Sequence, residues 1–126
     1  MNPRCYPFRM AVDREAVLAQ LRKGFLSYCV LAVLREDSSY GLELASRLGR
    51  YQVLFESDGK LYPVLSRLRE QGWVVTHWQE SVSGPPRRYY RLTDAGRGAL
   101  ATFLEVGVPF LDDVKALLAE SAEGGQ

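Results

Sequence analysis

The stretch from Gly59 to Thr93 joins a helical pattern to two segments with strand character. Its first part repeats apolar residues at steps of three and four, the period of an amphipathic helix: Leu61, Val64, Leu65 and Leu68. Gly72 supplies the helix stop, and WVVTHWQE, over Trp73 to Glu80, has the β-branched and aromatic residues of a strand. SVSGPP has turn chemistry, and RRYYRL alternates as a second strand before Thr93, a helix N-cap candidate. A basic helix followed by a hairpin with arginines beside its turn predicts a winged helix.

The remaining segments predict mainly helices. Before the central stretch we expect a short helix that Asp13 caps and that Gly24 interrupts or bends, followed by a buried helix from Phe25 to Leu34. The next helix covers about Tyr40 to Arg50, with Ser38 or Ser39 as its N-cap. A third helix starts at Ser57 or Asp58. After the hairpin, a helix runs from Thr93 to about Glu105, and Gly107 and Pro109 break or kink it. A second amphipathic stretch follows, from Phe110 to Leu118.

This order predicts a mainly α fold with a small two-stranded β-wing. We expect a flexible tail over 1–12, a winged helix-turn-helix domain over 13–93, a C-terminal dimerisation helix or helices over 94–120, and a disordered end over 121–126. A two-stranded hairpin is marginal alone, so it must pack on the helices. Trp73 and Trp78 are the expected anchors for that packing.

The formal net charge of +1 conceals an uneven distribution. Residues 57–98 carry seven basic and four acidic side chains, whereas residues 99–126 carry one basic and five acidic side chains. A cationic segment is the natural nucleic-acid face of a chain, and an acidic one is not. The charge alone would equally suit an ordinary solvated surface. The position of the basic residues on the predicted helix and hairpin is what favours DNA binding.

Catalytic, metal and membrane functions find no support in the sequence. His77 is the single histidine, so it would have to take part in any Ser-His or Cys-His pair, and nothing around it suggests one. Cys5 and Cys29 form neither a disulfide framework nor a zinc site, and inert thiols are expected. We expect no cofactor, no metal and no membrane partner, since the apolar run from Val30 to Leu34 is too short to cross a bilayer and no signal peptide is evident. Cytoplasmic localisation follows.

Polar residues on the helix and the hairpin are the candidates for DNA contact. The outer face of the helix carries Lys60, Tyr62, Ser66 and Arg67, where a recognition helix meets bases and phosphates. Arg87 and Arg88 follow a turn stiffened by Pro85 and Pro86, within reach of a phosphate or a narrow minor groove. The alternative is an amphipathic helix with solvated basic residues and a purely structural hairpin.

Two amphipathic stretches exceed what a small winged core can cover, which predicts a dimer. The candidate dimerisation residues are Leu18, Leu21, Leu100, Phe103, Leu104, Phe110, Leu111, Val114, Leu117 and Leu118. Aromatic residues could also line a cavity for a small apolar or aromatic effector, although such residues are more often plain core. The candidates for that pocket are Tyr28, Trp73, Trp78 and Phe103.

The strings YGLELASRL, DGKLYPVLSRLREQGWV and GPPRRYYRLTDAGRGAL resemble the PadR family of bacterial transcriptional regulators. The resemblance covers about residues 26–104, with the elements in family order and spacing. It implies that Tyr40 lies near the DNA backbone, that Gly59 to Pro63 form the head of the recognition helix, and that Gly84 to Arg87 lie on the wing. Lys60 departs from the family pattern, which usually has a small residue such as threonine there. The full set of candidate DNA-binding residues is Tyr40, Ser57, Gly59, Lys60, Tyr62, Pro63, Ser66, Arg67, Pro85, Pro86, Arg87 and Arg88.

The resemblance implies a homodimeric repressor that binds an inverted repeat in double-stranded DNA and is released by a small molecule. The first alternative is a winged-helix module that binds protein rather than DNA, which an acidic recognition face would favour. The second is an enzyme, which needs a site that the sequence does not contain. Fold resemblance alone does not decide between these functions.

Overall fold

The computed structural model describes residues 13–55 and 60–124 of the chain. The elements, in chain order, are α1 (Arg14–Val33), β1 (Ser39–Tyr40), α2 (Gly41–Leu48), α3 (Leu61–Glu70), β2 (Val74–Ser81), β3 (Gly84–Leu92) and α4 (Asp94–Gly124). A mainly α fold with a small β-wing is therefore confirmed. The expected tail over 1–12, the start of the third helix at Ser57 or Asp58, and the last two residues of the expected disordered end over 121–126 lie outside the described part. Residues 121–124 of that end belong to α4, so they are not disordered as expected.

The second half of the first helix contributes to the core, whereas its first half is mostly exposed. Asp13 caps it as expected, because its carboxylate accepts a hydrogen bond from the Glu15 N–H at 3.0 Å. The expected interruption at Gly24 is wrong, because α1 continues through it as one element of 20 residues. A bend at Gly24 stays a prediction. A single helical glycine costs less than the packing of the neighbouring turns contributes, and Leu26, Val30 and Leu31 on those turns are buried. By length and composition α1 is also apolar enough to span a membrane; the core helix of a soluble protein and a signal sequence pass the same test, and 17% of the apolar window of α1 is buried.

A short strand precedes α2 where the sequence predicts a capping serine. The N-cap residue is Tyr40, which makes no side-chain capping bond, so the predicted caps Ser38 and Ser39 are wrong. Ser39 is instead fully buried in β1, and its hydroxyl hydrogen-bonds the Glu43 carboxylate at 2.6 Å. A two-residue strand has no recognisable sequence period, and it forms here because β3 supplies a partner.

The sheet is antiparallel with three strands in the order β1-β3-β2, not the two expected. The register pairs Tyr40 with Tyr89 and His77 with Tyr89. The expected turn over Ser81 to Pro86 is also wrong, because Gly84 to Pro86 belong to β3 and the tip of the hairpin is Val82 and Ser83. Both prolines lie at the start of β3, near the end of the hairpin, where a missing N–H is tolerated.

The last helix is continuous from Asp94 to Gly124, and neither Gly107 nor Pro109 breaks it. Thr93 caps it as expected, since its Oγ1 accepts a hydrogen bond from the Gly96 N–H at 3.0 Å. The same hydroxyl donates to the Gly72 carbonyl at 2.6 Å, which ties the end of the hairpin to the turn after α3. Gly72 ends α3 as predicted, with a φ of 79° that suits glycine.

Candidate nucleic-acid interface

Helix α3 separates a buried apolar side from an exposed polar side. Leu61, Val64, Leu65 and Leu68 are buried in the core. The residues exposed on the other side are Tyr62, Pro63, Ser66, Arg67, Arg69 and Glu70. Pro63 is the third helical residue after the N-cap Lys60, so its missing N–H falls in the first turn, where no helical partner exists. The face predicted for DNA contact is therefore open to solvent, while Ser57 and Gly59 lie outside the described residues.

The exposed face of α3 has two edges that differ in their neighbours. Arg67 shares a cavity of about 350 Å³ with Lys23 of α1 and Trp73, so it lies towards α1. Ser66 and Arg69 line another cavity with residues of β2, so they lie towards the wing. Arg69 was not among the sequence candidates, although it follows Tyr62 and Ser66 at helical spacing and is equally exposed.

Tyr62 is held against the start of α2. Gly41 is buried, and a Cβ at this position would overlap the Tyr62 ring. Glycine therefore lets the aromatic ring of α3 rest on the backbone that follows Tyr40. This contact places the candidate Tyr62 against the residue that directly follows the candidate Tyr40.

Three rings and one guanidinium line the outer face of the sheet. Tyr40 and Tyr89 meet edge to face with centroids 5.3 Å apart, and His77 stacks on Tyr89 at 5.7 Å with a 19° angle between the planes. The guanidinium carbon of Arg87 lies 4.3 Å from the centroid of the Tyr40 ring, within cation–π range. Tyr89 and His77 were not sequence candidates, because their role depends on β1, which has no sequence signal.

The two wing arginines occupy opposite faces of β3. Arg87 shares a face with Tyr89, whereas Arg88 lies on the other face with its guanidinium carbon 5.2 Å from the centroid of the Trp78 ring. In the register they pair with Gln79 and Trp78, below the tip rather than beside it. The expected anchor Trp78 is 65% exposed, so only Trp73 packs against the core. Pro85 and Pro86 are both exposed.

Within the described residues, the cations of this surface are not paired with carboxylates. Among the described residues, no carboxylate forms an ion pair with Lys60, Arg69 or Arg87. All three side chains are exposed. A surface of this kind attracts phosphates, because no carboxylate among the described residues has to be displaced from these cations.

Most of the dimerisation candidates lie exposed on α1 and α4. The exposed members are Leu21, Leu104, Phe110, Leu111, Val114, Leu117 and Leu118. Leu18 and Phe103 are half-buried and line an almost wholly apolar cleft of about 560 Å³ between α1, residues 51–54 and α4. Leu100 is 2% exposed and belongs to the core of a single chain, so its assignment to a dimer surface is wrong.

The effector candidates do not form one pocket. Tyr28 stacks on Phe103 with centroids 4.3 Å apart, and its ring lies 5.9 Å from that of Trp73. Trp78 lies apart from them on the wing, because β2 carries it away from the helices. Three of the four therefore form a packed aromatic cluster.

Within residues 13–55 and 60–124, no three His, Cys, Asp or Glu side chains are grouped to hold a metal ion. Burial raises the pKa of the Cys29 thiol, which keeps it protonated at neutral pH. This state fits an inert core thiol rather than a nucleophile.

Three comparisons relate the chain to known proteins. A model of the transcriptional regulator PadR-like family matches residues 30–102. The transcriptional regulator Rv3488 of Mycobacterium tuberculosis is 39% identical over 113 residues, which cover 86% of this chain and 92% of the relative. A PadR-like regulator of Bacillus cereus has a similar structure, with a TM-score of 0.70 and 32% identity over 79% of this chain and 96% of that one. PadR of Bacillus subtilis, solved with operator DNA, shares the fold at a TM-score of 0.58 and 24% identity, over 64% of this chain and 46% of that one.

Proposed function

The chain belongs to the PadR-like family of transcriptional regulators, and on that premise we propose that it is a homodimeric repressor that binds an inverted-repeat operator. Members of this family are regulators, not enzymes. The observation that carries DNA binding is the exposed cationic surface of α3 and β3, where Lys60, Arg69 and Arg87 have no carboxylate partner among the described residues. The structure of Bacillus subtilis PadR with operator DNA supports this proposal through the shared fold.

Helix α3 enters a major groove and the hairpin lies on the neighbouring backbone. The N-cap Lys60 and, on the first two turns of α3, Tyr62 and Ser66 are exposed where a recognition helix meets base edges. Arg87 lies beside Tyr40 at the start of α2, where it meets a phosphate. A protein-binding module is the weaker alternative, because the exposed face is basic.

Selection of bound duplexes from a random pool tests this function and does not require the operator sequence. We expect enrichment of an inverted repeat, and we expect the DNA upstream of the protein's own coding region to compete for binding. If no sequence is enriched and no duplex is bound even at low salt, the protein is not a DNA-binding regulator of this kind.

The wing and the recognition helix are expected to contribute differently. Arg87→Ala removes a phosphate contact, so it should weaken binding to operator and random DNA alike. It should also reduce the slope of log affinity against log salt concentration (the log–log salt slope) by about 0.9. Lys60→Ala and Tyr62→Ala are the candidates for loss of a base contact. Such a loss should instead reduce the difference in binding free energy between operator and random DNA by about 1–3 kcal/mol. Arg50→Ala is the matched control, since it removes an exposed arginine outside the interface. Equal effects of Arg50→Ala and Arg87→Ala would show that only net charge matters.

The partner in the dimer is a second copy of the chain, bound through α4. All residues from 108 to 122 are exposed, and Leu104, Leu111 and Leu118 repeat at seven-residue steps along α4. Such a helix needs a second apolar surface to cover it. The acidic balance of residues 99–126 further favours protein over DNA as the partner of this segment.

Substitutions on α4 test the dimer. The full chain should sediment as a dimer at micromolar concentration, and Leu111→Ser with Leu118→Ser should shift it to monomer, because both side chains leave the apolar seam. Ala101→Ser on the first half of α4 is the control and should keep the dimer. A wild-type monomer at that concentration would contradict the proposal.

Release by a small apolar or aromatic effector completes the proposed function, in the cytoplasm where the DNA is. The apolar cleft of about 560 Å³ next to Phe103 has the size and lining of a small-molecule site. Binding there should change the fluorescence of Trp73 in a Trp78→Phe variant, because Trp73 touches the Tyr28–Phe103 stack. A library of small aromatic compounds that leaves this fluorescence and the DNA affinity unchanged would argue against an effector.

A further inference from the structure

The outer face of the sheet carries a row of rings that crosses all three strands. His77 on β2, Tyr89 on β3 and Tyr40 on β1 are directly paired in the register. Their centroids are 5.7 and 5.3 Å apart, which is within the range of aromatic contacts. Arg87 lies at the end of this row, with its guanidinium carbon 4.3 Å from the centroid of Tyr40.

Contact with Tyr40 gives Arg87 a defined direction. The arginine side chain is exposed, and among the described residues no carboxylate holds it by an ion pair. An exposed arginine has many rotamers and loses that freedom when it binds a phosphate. A guanidinium that already lies over a ring has lost part of this freedom before DNA arrives, so its contact is stronger.

Tyr40 depends on its neighbours for its own position. Strand β1 has two residues, and its backbone pairs with β3 only at Ser39 and Tyr40. Tyr89 faces the Tyr40 ring from the centre of the sheet, and His77 supports Tyr89 from the opposite side. Removal of the Tyr89 ring would therefore leave Tyr40 without support on that side.

We propose that Tyr89, supported by His77, is a positioning residue that holds Tyr40 under Arg87 and thereby presents the guanidinium to a DNA phosphate. The phosphate lies at the junction of the wing with α2, because Tyr40 leads directly into Gly41 and the Tyr62 contact. Tyr89 itself touches no DNA. This inference rests on the proposed DNA binding, and specifically on the role of Arg87.

A double-mutant cycle between positions 87 and 89 tests the inference. The readout is the affinity for a short duplex of arbitrary sequence over a salt series, because a phosphate contact is independent of sequence. Tyr89→Leu should lower the affinity several-fold and reduce the log–log salt slope by up to about 0.9, as Arg87→Ala does. Arg87→Ala with Tyr89→Leu should bind as Arg87→Ala alone, since Tyr89 acts through Arg87. Tyr89→Phe keeps the ring and should rescue both the affinity and the slope.

Tyr40→Leu is the second variant, needed if Tyr89→Leu does not fold as judged by circular dichroism. It removes the ring under Arg87 without a change in β3, and it should show the same non-additivity with Arg87→Ala. The positioning role is overturned if the losses of affinity are additive in the cycle whose variants fold. It is also overturned if Tyr89→Leu or Tyr40→Leu alone binds DNA with the affinity and salt slope of the wild type. If the wild type binds and Arg87→Ala has no effect, the inference fails while the proposed function stands. If the wild type binds no duplex, both fail.

Discussion

A few hydrogen bonds around Trp73 join α3, the wing and α4. The Trp73 carbonyl accepts a hydrogen bond from the Thr93 N–H at 3.1 Å, and the Thr93 hydroxyl reaches Gly72 and Gly96. A Cβ at Gly96 would overlap the Trp73 carbonyl oxygen and lie 3.3 Å from Leu92 Cδ2. Glycine is required there by close approach, not by backbone conformation.

Gly96→Ala should destabilise the protein, whereas Gly98→Ala should not. The added methyl at position 96 meets a fixed carbonyl, and such overpacking costs about 1–3 kcal/mol. The methyl at position 98 has no atom within 4 Å, so the better helix propensity of alanine should stabilise by about 0.5–1 kcal/mol. Urea denaturation of the two variants measures the difference. Equal stabilities would mean that α4 does not approach Trp73 as closely as described.

Individual residues differ in how far the sequence reveals their role. The roles of Asp13, Gly72 and Thr93 are predicted correctly, because caps and left-handed glycines depend on local chain geometry. Gly41 and Gly96 could not be identified in this way, since each is set by a contact with a residue more than 20 positions away. The place of Leu100 in the core was missed for the same reason: its helical spacing fits either a dimer surface or a core.

At the scale of elements, the amphipathic period of the sequence identifies the helices, but the sequence predicts their ends and interruptions poorly. Gly24, Gly107 and Pro109 are each expected to disturb a helix, and none of them ends one. Local propensity is a weak effect that packing and helix cooperativity outweigh over many residues. Strand β1 is the opposite case, an element that the sequence does not predict. Its two residues are too few to show a period, and they become a strand only because they pair with β3.

Pro109 should weaken α4 even though it does not break the helix. Its ring lies inside a helix of 31 residues and removes one hydrogen bond with the preceding turn. Pro109→Ala is therefore expected to raise the free energy of unfolding by about 1–3 kcal/mol and to increase the helical circular dichroism. Thr102→Ala, at another exposed position of α4, is the control and should gain less than about 0.7 kcal/mol. A loss of stability in Pro109→Ala would contradict this expectation.

At the scale of the molecule, basic charge and exposed apolar surface lie in different parts of the chain. Residues 57–98 carry the basic excess, on α3 and the hairpin, and residues 99–126 carry the acidic excess, on an exposed apolar helix. This division can be predicted from the sequence, because it depends only on the order of the elements along the chain. The row of rings beneath Arg87 cannot, because it depends on three strands that meet in space.

The spacing of the operator half-sites follows from the proposed two-fold dimer. A two-fold axis relates the two α3 helices, so both can enter major grooves on one side of the duplex when they lie about 34–36 Å apart, or a multiple of that distance. The half-sites should therefore be centred about 10 base pairs apart, or a multiple of 10. Helix α4, about 46 Å long at 1.5 Å per residue, is long enough to set such a separation.

Insertion of DNA between the half-sites tests this geometry. About 5 added base pairs rotate one half-site by half a turn and place it on the opposite side of the duplex, so binding should fall to the level of a single half-site. About 10 added base pairs restore the side of the duplex but not the distance, and should recover affinity only if α4 allows the two domains to separate. The selected operator and these two variants can be compared by footprinting at stoichiometric dimer. Full protection of one asymmetric half-site, unaffected by either insertion, would show that each chain binds DNA alone.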